Sequence, residues 1–364
     1  MKLTMLGTGR AVVTECYNTC FVLHEEGRYF LVDGGGGIGL LSRLKSAGIK
    51  WNRIRDMFVT HRHMDHIMGI LWMIRMICQA SKRGEYEGEA RIYGHEEVIQ
   101  ILREVSCMLL SEKESCFIGK SVKLIPVTDR EEREIIGHRV CFFDIHSTKA
   151  RQFGFTMDLR ENDRLTCCGD EPYNDSEKEI VQGSRWLLHE SFCLGQDADR
   201  FHPYEKHHST VKDACEQAEK LGIRNLVLYH TEDTDMTNRK QRYTEEGTLY
   251  FSGNLYVPDD IETICLDTGN FDTDNLEKVE SNLDGIRTEE NREDDAAMGE
   301  REQQRLEAFE EMLKNIQKEH DSIQRQMEEL KDKGKTKSAT YRQLMGRKMT
   351  YQSMISMYEV YGLL

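Results

Sequence analysis

The hydrophobic pattern changes its period several times along the chain. Eleven short apolar runs come first: "KLTMLGTG", "CFVLHE", "RYFLVDGG", "DMFVTH", "ARIYGH", "SVKLIPV", "VCFFDIH", "QFGFTMDL", "RLTCCGD", "RWLLHE" and "NLVLYH". They are rich in Val, Ile, Leu, Phe and Cys and bounded by Gly, Asp or Asn, the signature of strands. Helical spacing covers residues 67–80, 95–107 and 210–222, the last two opening after His95-Glu96-Glu97 and Ser209-Thr210. Many strands with helices between some of them predict an α/β fold of two sheets covered by helices.

The pattern breaks after residue 272. Residues 273–300, "TDNLEKVESNLDGIRTEENREDDAAMGE", are acidic and poor in large apolar side chains, which predicts a solvated linker. Leu306, Phe309, Leu313, Ile316, His320, Ile323, Met327 and Leu330 then recur at spacings of three and four, a heptad seam that is apolar except for His320. "DKGKTKS" interrupts it, with Gly334 as a stop and Ser338 or Thr340 as a new N-cap. A second helix is expected from about Ala339 to Tyr361. Residues 301–364 therefore read as an α-helical hairpin. Two helices alone bury too little surface to be stable. The hairpin is expected to pair with a second copy in a homodimer, or else to dock on residues 1–272.

Composition sharpens this picture in three ways. The net charge of -15 argues against a chain-wide surface for polyanions. No apolar run approaches a membrane span, and "MKLTMLGTGR" has no signal core. Eleven cysteines without paired zinc-ribbon spacing fit reduced thiols and a cytoplasmic protein.

Candidate chemistry concentrates in "VTHRHMDHIMGI". His61 and His63 lie two apart at a strand end, so both can point to one side. Asp65 and His66 follow in what reads as the loop before a helix. Imidazole nitrogen and carboxylate oxygen suit Zn²⁺, with Mn²⁺ or Fe²⁺ as alternatives. Four ligands on one loop do not complete two sites, so more His or Asp should stand at other strand ends. His146 closes "VCFFDIH", Asp170 closes "RLTCCGD" and His230 closes "NLVLYH". Asp33 in "LVDGG" is expected beneath the site, bonded to the ligand loop.

The order H-x-H-x-D-H, then His, then Gly-Asp, then His resembles the metallo-β-lactamase superfamily over about residues 1–270. The resemblance implies an αββα sandwich with two divalent metals at one edge. It implies His61, His63 and His146 on one metal, Asp65, His66 and His230 on the other, and Asp170 bridging. "LGTGRAVVTECYNTCFVL", "LLHESF" and "HHSTVKDACEQAEKLGIRNLVLYH" resemble the ribonuclease Z-like branch. By that resemblance His208 is a catalytic histidine and Glu190 its orienting partner, expected to raise its pKa. Asp65 would orient or deprotonate the nucleophile, and Lys149 or Arg151 would hold a phosphate oxygen.

The expected activity is a metal-dependent phosphodiesterase acting on a nucleotide or RNA. Only residues 147–169 separate His146 from Asp170, too few for the arm with which such enzymes grip tRNA, which counts against a tRNA substrate. Two alternatives stand beside it. One is a hydrolase of the same fold acting on an ester, lactone or thioester. The other is a non-enzymatic, metal-stabilised protein that binds a partner through its helical hairpin.

Overall fold

The computed structural model describes residues 1–160 and 163–266, together with positions scattered between 317 and 348. Its fourteen strands are β1 (Lys2–Gly7), β2 (Cys20–Glu25), β3 (Arg28–Val32), β4 (Asp56–Phe58), β5 (Ala90–Gly94), β6 (Val122–Pro126), β7 (Glu132–Ile135), β8 (His138–Asp144), β9 (Phe153–Arg160), β10 (Asp163–Cys167), β11 (Trp186–Glu190), β12 (Asn225–Tyr229), β13 (Asn254–Tyr256) and β14 (Thr263–Cys265). They form two seven-stranded sheets, ordered β14-β1-β2-β3-β4-β5-β6 and β13-β12-β11-β10-β9-β8-β7. In each sheet antiparallel pairs give way to a parallel run, β3 to β6 in the first and β10 to β13 in the second.

Strand alternation builds the layers. In β3, Phe30 and Val32 enter the core between the sheets while Leu31 enters a second core on the opposite face. The central core is aromatic, with Phe21, Phe30, Phe58, Phe142, Phe155, Trp186 and Tyr229 all nearly inaccessible. The outer face of the first sheet is covered by α1 (Gly39–Ser46), α2 (Met64–Lys82) and α3 (Glu96–Leu109), with the short α4 (Glu112–Ser115) beside them. The second sheet carries the one-turn helices α5 (Lys178–Val181) and α6 (Ala198–Phe201), then α7 (Val211–Lys220) and α8 (Met236–Gly247). Val211, Ala214 and Tyr243 pack there against Leu226 and Leu228. The result is an αββα sandwich.

One helix start and several additional elements differ from the sequence reading. Helix α2 begins at Met64, so Asp65 and His66 occupy its first turn rather than a preceding loop. His63 is the extended N-cap residue, and an acidic side chain in the first turn favours the start of a helix there. Helices α1 and α8 and strands β7, β13 and β14 are additional to the expected elements.

All eleven cysteines are free, including the buried pair Cys167-Cys168. No helix among the described residues is long and apolar enough to cross a membrane.

The chain divides into two compact units, residues 1–269 and 270–364. In the second, Ile323, Met327 and Leu344 are buried together, with Leu330 and Tyr341 against them. The Ser338 hydroxyl accepts the Tyr341 N–H at 3.1 Å, the contact expected of an N-cap. The expected linker at 273–300, the seam from Leu306 to Ile316, Gly334 and the end of the second arm lie outside the described residues.

Candidate metal centre at the sheet rim

The expected ligands come from segments far apart in sequence, and the parallel strands bring most of them to one rim. β3 ends at Val32 and β4 at Phe58, with Asp33 and Thr60 just beyond. Asp33, His146 and His230 each follow a strand in the left-handed backbone region, with φ of 56°, 54° and 58°. Non-glycine residues rarely adopt it, and such conformations cluster at functional sites.

A close approach of two backbones sets the entry of α2. A Cβ on Gly69 would lie 1.9 Å from the Gly34 carbonyl oxygen. The Gly34 N–H donates to the His66 carbonyl at 2.7 Å and the Gly69 N–H to that of Gly35 at 3.1 Å. The first turn of α2 is thereby held against the segment carrying Asp33.

Asp33 is buried and anchors two imidazoles. Its Oδ1 accepts the Thr60 N–H at 2.9 Å. Its Oδ2 accepts the Thr60 hydroxyl and His66 Nδ1, both at 2.8 Å. The Thr60 hydroxyl has one proton, committed to an acceptor-only carboxylate, so it accepts from His61 Nδ1 at 2.9 Å. Both rings are thus fixed with Nδ1 protonated and Nε2 turned towards the cluster. Sequence reasoning passed over Thr60, because nothing in its type distinguishes it from any strand-end threonine.

Asp170 sits opposite. Its Oδ2 lies 3.7 Å from His61 Nε2 and 3.5 Å from both His66 Nε2 and His230 Nε2. Asp65 Oδ2 lies 3.2 Å from His66 Nε2 and 3.6 Å from His230 Nε2. His61, His66 and Asp170 form one set of converging donor atoms, and Asp65, His66 and His230 another. His66 Nε2, His230 Nε2 and Asp170 Oδ1 are buried and make no hydrogen bond among the described residues. Buried polar atoms without partners are costly. An N/O donor set of this kind, converging and unsatisfied, fits a divalent cation.

The electrostatics agree. Burial opposes charge throughout, and it pushes His61 well below the ordinary histidine value. Burial also opposes charge on His66, yet the carboxylates of Asp65 and Asp33 hold its proton well above the usual range. Burial likewise opposes ionisation of Asp170, but His61, His66 and His230 keep its carboxyl far below the ordinary value. Carboxylates ionised against imidazoles are the state in which a cation can replace protons.

Two expected ligands stand apart from these sets. His63 Nδ1 lies 2.8 Å from His61 Nε2, so His63 pairs with its neighbour. His146 follows its strand as expected, but its side chain is 63% exposed and its Nδ1 is 3.9 Å from Asp144 Oδ1. The reason is local: the His146 N–H donates to Asp144 at 2.9 Å, and the left-handed turn carries the ring towards solvent.

His146 lines a neighbouring cleft with Thr148, Glu171, Tyr173, Tyr204, His207 and His208. His208 bridges the cleft and the cluster. Its ring stacks on Phe192 with centroids 4.9 Å apart and meets that of His230 at 5.1 Å. Its Nδ1 is 3.4 Å from Glu190 Oε2, and its Nε2 accepts from Lys149 Nζ at 3.3 Å. Glu190 is fully buried and also accepts the Ser209 N–H. The expected rise in the His208 pKa does not occur. Burial pushes His208 down to about 4 and Glu190 up to about 7. Arg151 turns away to Asp144, with Nε 3.0 Å from Oδ2. His207, given no role from sequence, hydrogen-bonds Thr148 in the same cleft at 3.0 Å.

Several known proteins share this architecture. The metallo-β-lactamase fold protein YhfI from Bacillus subtilis aligns with a TM-score of 0.58 and 18% identity, covering 72% of this chain and 98% of that one. The short form of human tRNase Z aligns with a TM-score of 0.55 and 20% identity, covering 74% and 100%. In sequence, ribonuclease Z of Nitrosopumilus maritimus is 24% identical over 270 residues, 63% of this chain and 89% of the relative. Ribonuclease Z of Bacteroides thetaiotaomicron is 23% identical over 316 residues, 74% and 96%. Residues 1–256 match the family described as Anti-Pycsar protein Apyc1. The chain is thus a metallo-β-lactamase superfamily protein of the ribonuclease Z-like branch, and it belongs to the Anti-Pycsar protein Apyc1 family.

Proposed function

We propose that this protein is a metal-dependent phosphodiesterase acting on a nucleotide or RNA phosphodiester. The observation that carries the reading is the meeting of three imidazole nitrogens, two from residues 61–66 and one from His230, on one Asp170 oxygen, at 3.5–3.7 Å, beside His208. By the resemblance, His61, His63 and His146 would hold one divalent cation and Asp65, His66 and His230 a second, with Asp170 shared, which requires the His63 and His146 rings to turn from the positions they occupy here. Zn²⁺ suits the donor set best. Bound there, the cations lower the pKa of water and neutralise charge on phosphoryl oxygens. The names of the ribonuclease Z relatives support the phosphodiester class.

The chain's own residues supply positioning and protons. Asp33 and Thr60 fix which nitrogen His61 and His66 present. Asp65 orients the attacking water from the first turn of α2. Lys149, which bonds His208 through Nζ at 3.3 Å, is placed to meet a non-bridging phosphate oxygen. His208 enters the reaction neutral, since burial holds it near 4. An anionic phosphate beside it favours the imidazolium, formed by uptake of one proton from solvent through the cleft, and the imidazolium gives that proton to the leaving alkoxide. A poor leaving group needs that proton, whereas an activated ester or thioester does not.

Strands β9 and β10 pair antiparallel, with a register shift between Asp163 and Arg164, and occupy most of the segment between His146 and Asp170. This supports a small nucleotide or short RNA over tRNA.

The test is His208→Ala. Turnover of a diester with an alkyl leaving group should fall about 10²–10⁴-fold with metal content intact. A p-nitrophenyl leaving group should lose much less. Equal loss of bound metal would make His208 a ligand instead of an acid.

A further inference from the structure

The sheet end opposite the candidate centre holds a second concentration of charge. Arg28, Asp56 and Arg91 stand at or near the starts of β3, β4 and β5, whose far ends lead towards the His/Asp cluster. They line a cavity of about 390 Å³ together with Tyr29, Arg53, Arg55 and Glu134. Its four guanidinium groups face the carboxylates of Asp56 and Glu134 in the wall and of Glu26 beside Arg28, which leaves a small local excess of positive charge, in a chain whose net charge is -15.

Internal pairing takes up Arg28 and Arg91 but leaves Arg53 and Arg55 without an ion pair among the described residues. Asp56 is committed to Arg91, with Nε to Oδ1 and Nη2 to Oδ2 both at 2.8 Å. Arg53 has no ion pair among the described residues, and it is exposed. Arg55 lies over the Tyr86 ring, 4.2 Å from its centroid, which fixes its plane. Its Nη1 is buried without a hydrogen-bond partner among the described residues. Such an atom is costly unless a ligand meets it. Arg28 pairs through Nη2 with Glu26 at 3.3 Å and lies beside the β7–β8 turn. A Cβ on Gly137 would fall 2.3 Å from its Nη1, so the glycine gives the guanidinium its place in the wall.

We propose that this cavity is a second ligand site, separate from the metal centre, that binds a phosphate-bearing anion. Guanidinium forks match phosphate oxygens in pairs, and the two guanidinium groups without ion pairs, those of Arg53 and Arg55, match a phosphomonoester dianion. The volume lies in the range of small-ligand pockets. The two sources of that chemistry are free inorganic phosphate and the phosphate of a nucleotide. Tyr29, whose ring stacks on His24, is the aromatic side chain of the wall that a base would meet.

Isothermal titration of the full chain with inorganic phosphate, and separately with a nucleoside monophosphate, tests the proposal. The wild type should show a saturable site that His208→Ala leaves in place. Arg53→Ala and Arg55→Lys should each weaken that site by roughly tenfold or more, the scale of one charge-assisted hydrogen bond. Arg53 is exposed, so its variant remains informative if Arg55→Lys lowers the melting temperature. Equal affinity for both probes would assign recognition to the phosphate alone, and tighter nucleotide binding would add the Tyr29 wall. Absence of any saturable site, or affinities unchanged in both arginine variants, would overturn the proposal.

Discussion

Asp33→Asn is the sharpest perturbation of the candidate centre that replaces none of its proposed ligands. The carboxylate is buried and accepts three hydrogen bonds, from the Thr60 N–H, the Thr60 hydroxyl and His66 Nδ1. An asparagine keeps one acceptor and turns the other oxygen into a donor. If its NH₂ takes the Oδ1 position it confronts the Thr60 N–H, which can only donate. If it takes the Oδ2 position, His66 Nδ1 must accept, which moves the imidazole proton to Nε2, the nitrogen facing Asp65 and Asp170. Either choice loses a hydrogen bond to a charged group, about 1.5–3 kcal/mol, and leaves a buried donor unmet, about 1–3 kcal/mol. The sum is about 3 kcal/mol or more, against a typical total stability of about 5–15 kcal/mol. In a unit of this size the melting temperature should fall by roughly 6–12 °C. Metal affinity should weaken about 10–100-fold, the usual consequence of disturbing an outer partner of a ligating histidine. Competition against a fluorescent chelator and a thermal melt read the two effects, and ¹⁵N NMR of His66 reads the tautomer. Wild-type metal affinity together with an unchanged His66 tautomer would refute the role assigned to Asp33.

Two further outcomes are expected. Glu177 is buried, with Oε1 bonded to Asn174 and Oε2 unpartnered among the described residues, and burial pushes it up to about 8 from an ordinary 4.5. The folded state thus keeps a proton that the unfolded chain releases above about 4.5, so this stability is full at low pH and is lost as pH rises to about 8. Glu177→Gln should match wild type near pH 5 and exceed it near pH 8, by at most about 5 kcal/mol; parallel denaturation curves at the two pH values would sink the idea. Removing residues 301–364 should convert a homodimer into a monomer by light scattering, and an unchanged mass would mean that the hairpin does not hold two chains together.

The sequence made the central strands legible because each buries both faces in a different core. Residues 226–229, for example, are apolar throughout and inaccessible, with Val227 and Tyr229 turned one way and Leu226 and Leu228 the other. It hid the elements that lack such a pattern. Strand β14 buries only Ile264, and α8 buries Arg239, Tyr243 and Gly247, which form no apolar stripe. Arg239 is nonetheless tied down, donating to Thr8, Thr231, the Pro258 carbonyl and Asp259. The site was legible at the level of which residues stand at strand ends, since residue type and strand period carry that information. Side-chain direction was not. The turn of His146 towards Asp144, the pairing of His63 with His61 and the Thr60 relay depend on one local hydrogen bond each, which spacing cannot reveal. The His208 pKa was misread for a related reason: a neighbouring carboxylate raises it only where burial does not dominate, and burial is a property of the fold.

The most direct measurement is hydrolysis of bis(p-nitrophenyl) phosphate by the metal-loaded protein, run beside a panel of cyclic nucleotides and a tRNA precursor. Turnover of the diesters that disappears in Asp65→Ala, with the small nucleotides preferred over the tRNA precursor, is the predicted result. A protein that holds two metals yet turns over no phosphodiester would contradict the account and transfer it to the ester, lactone or thioester reading.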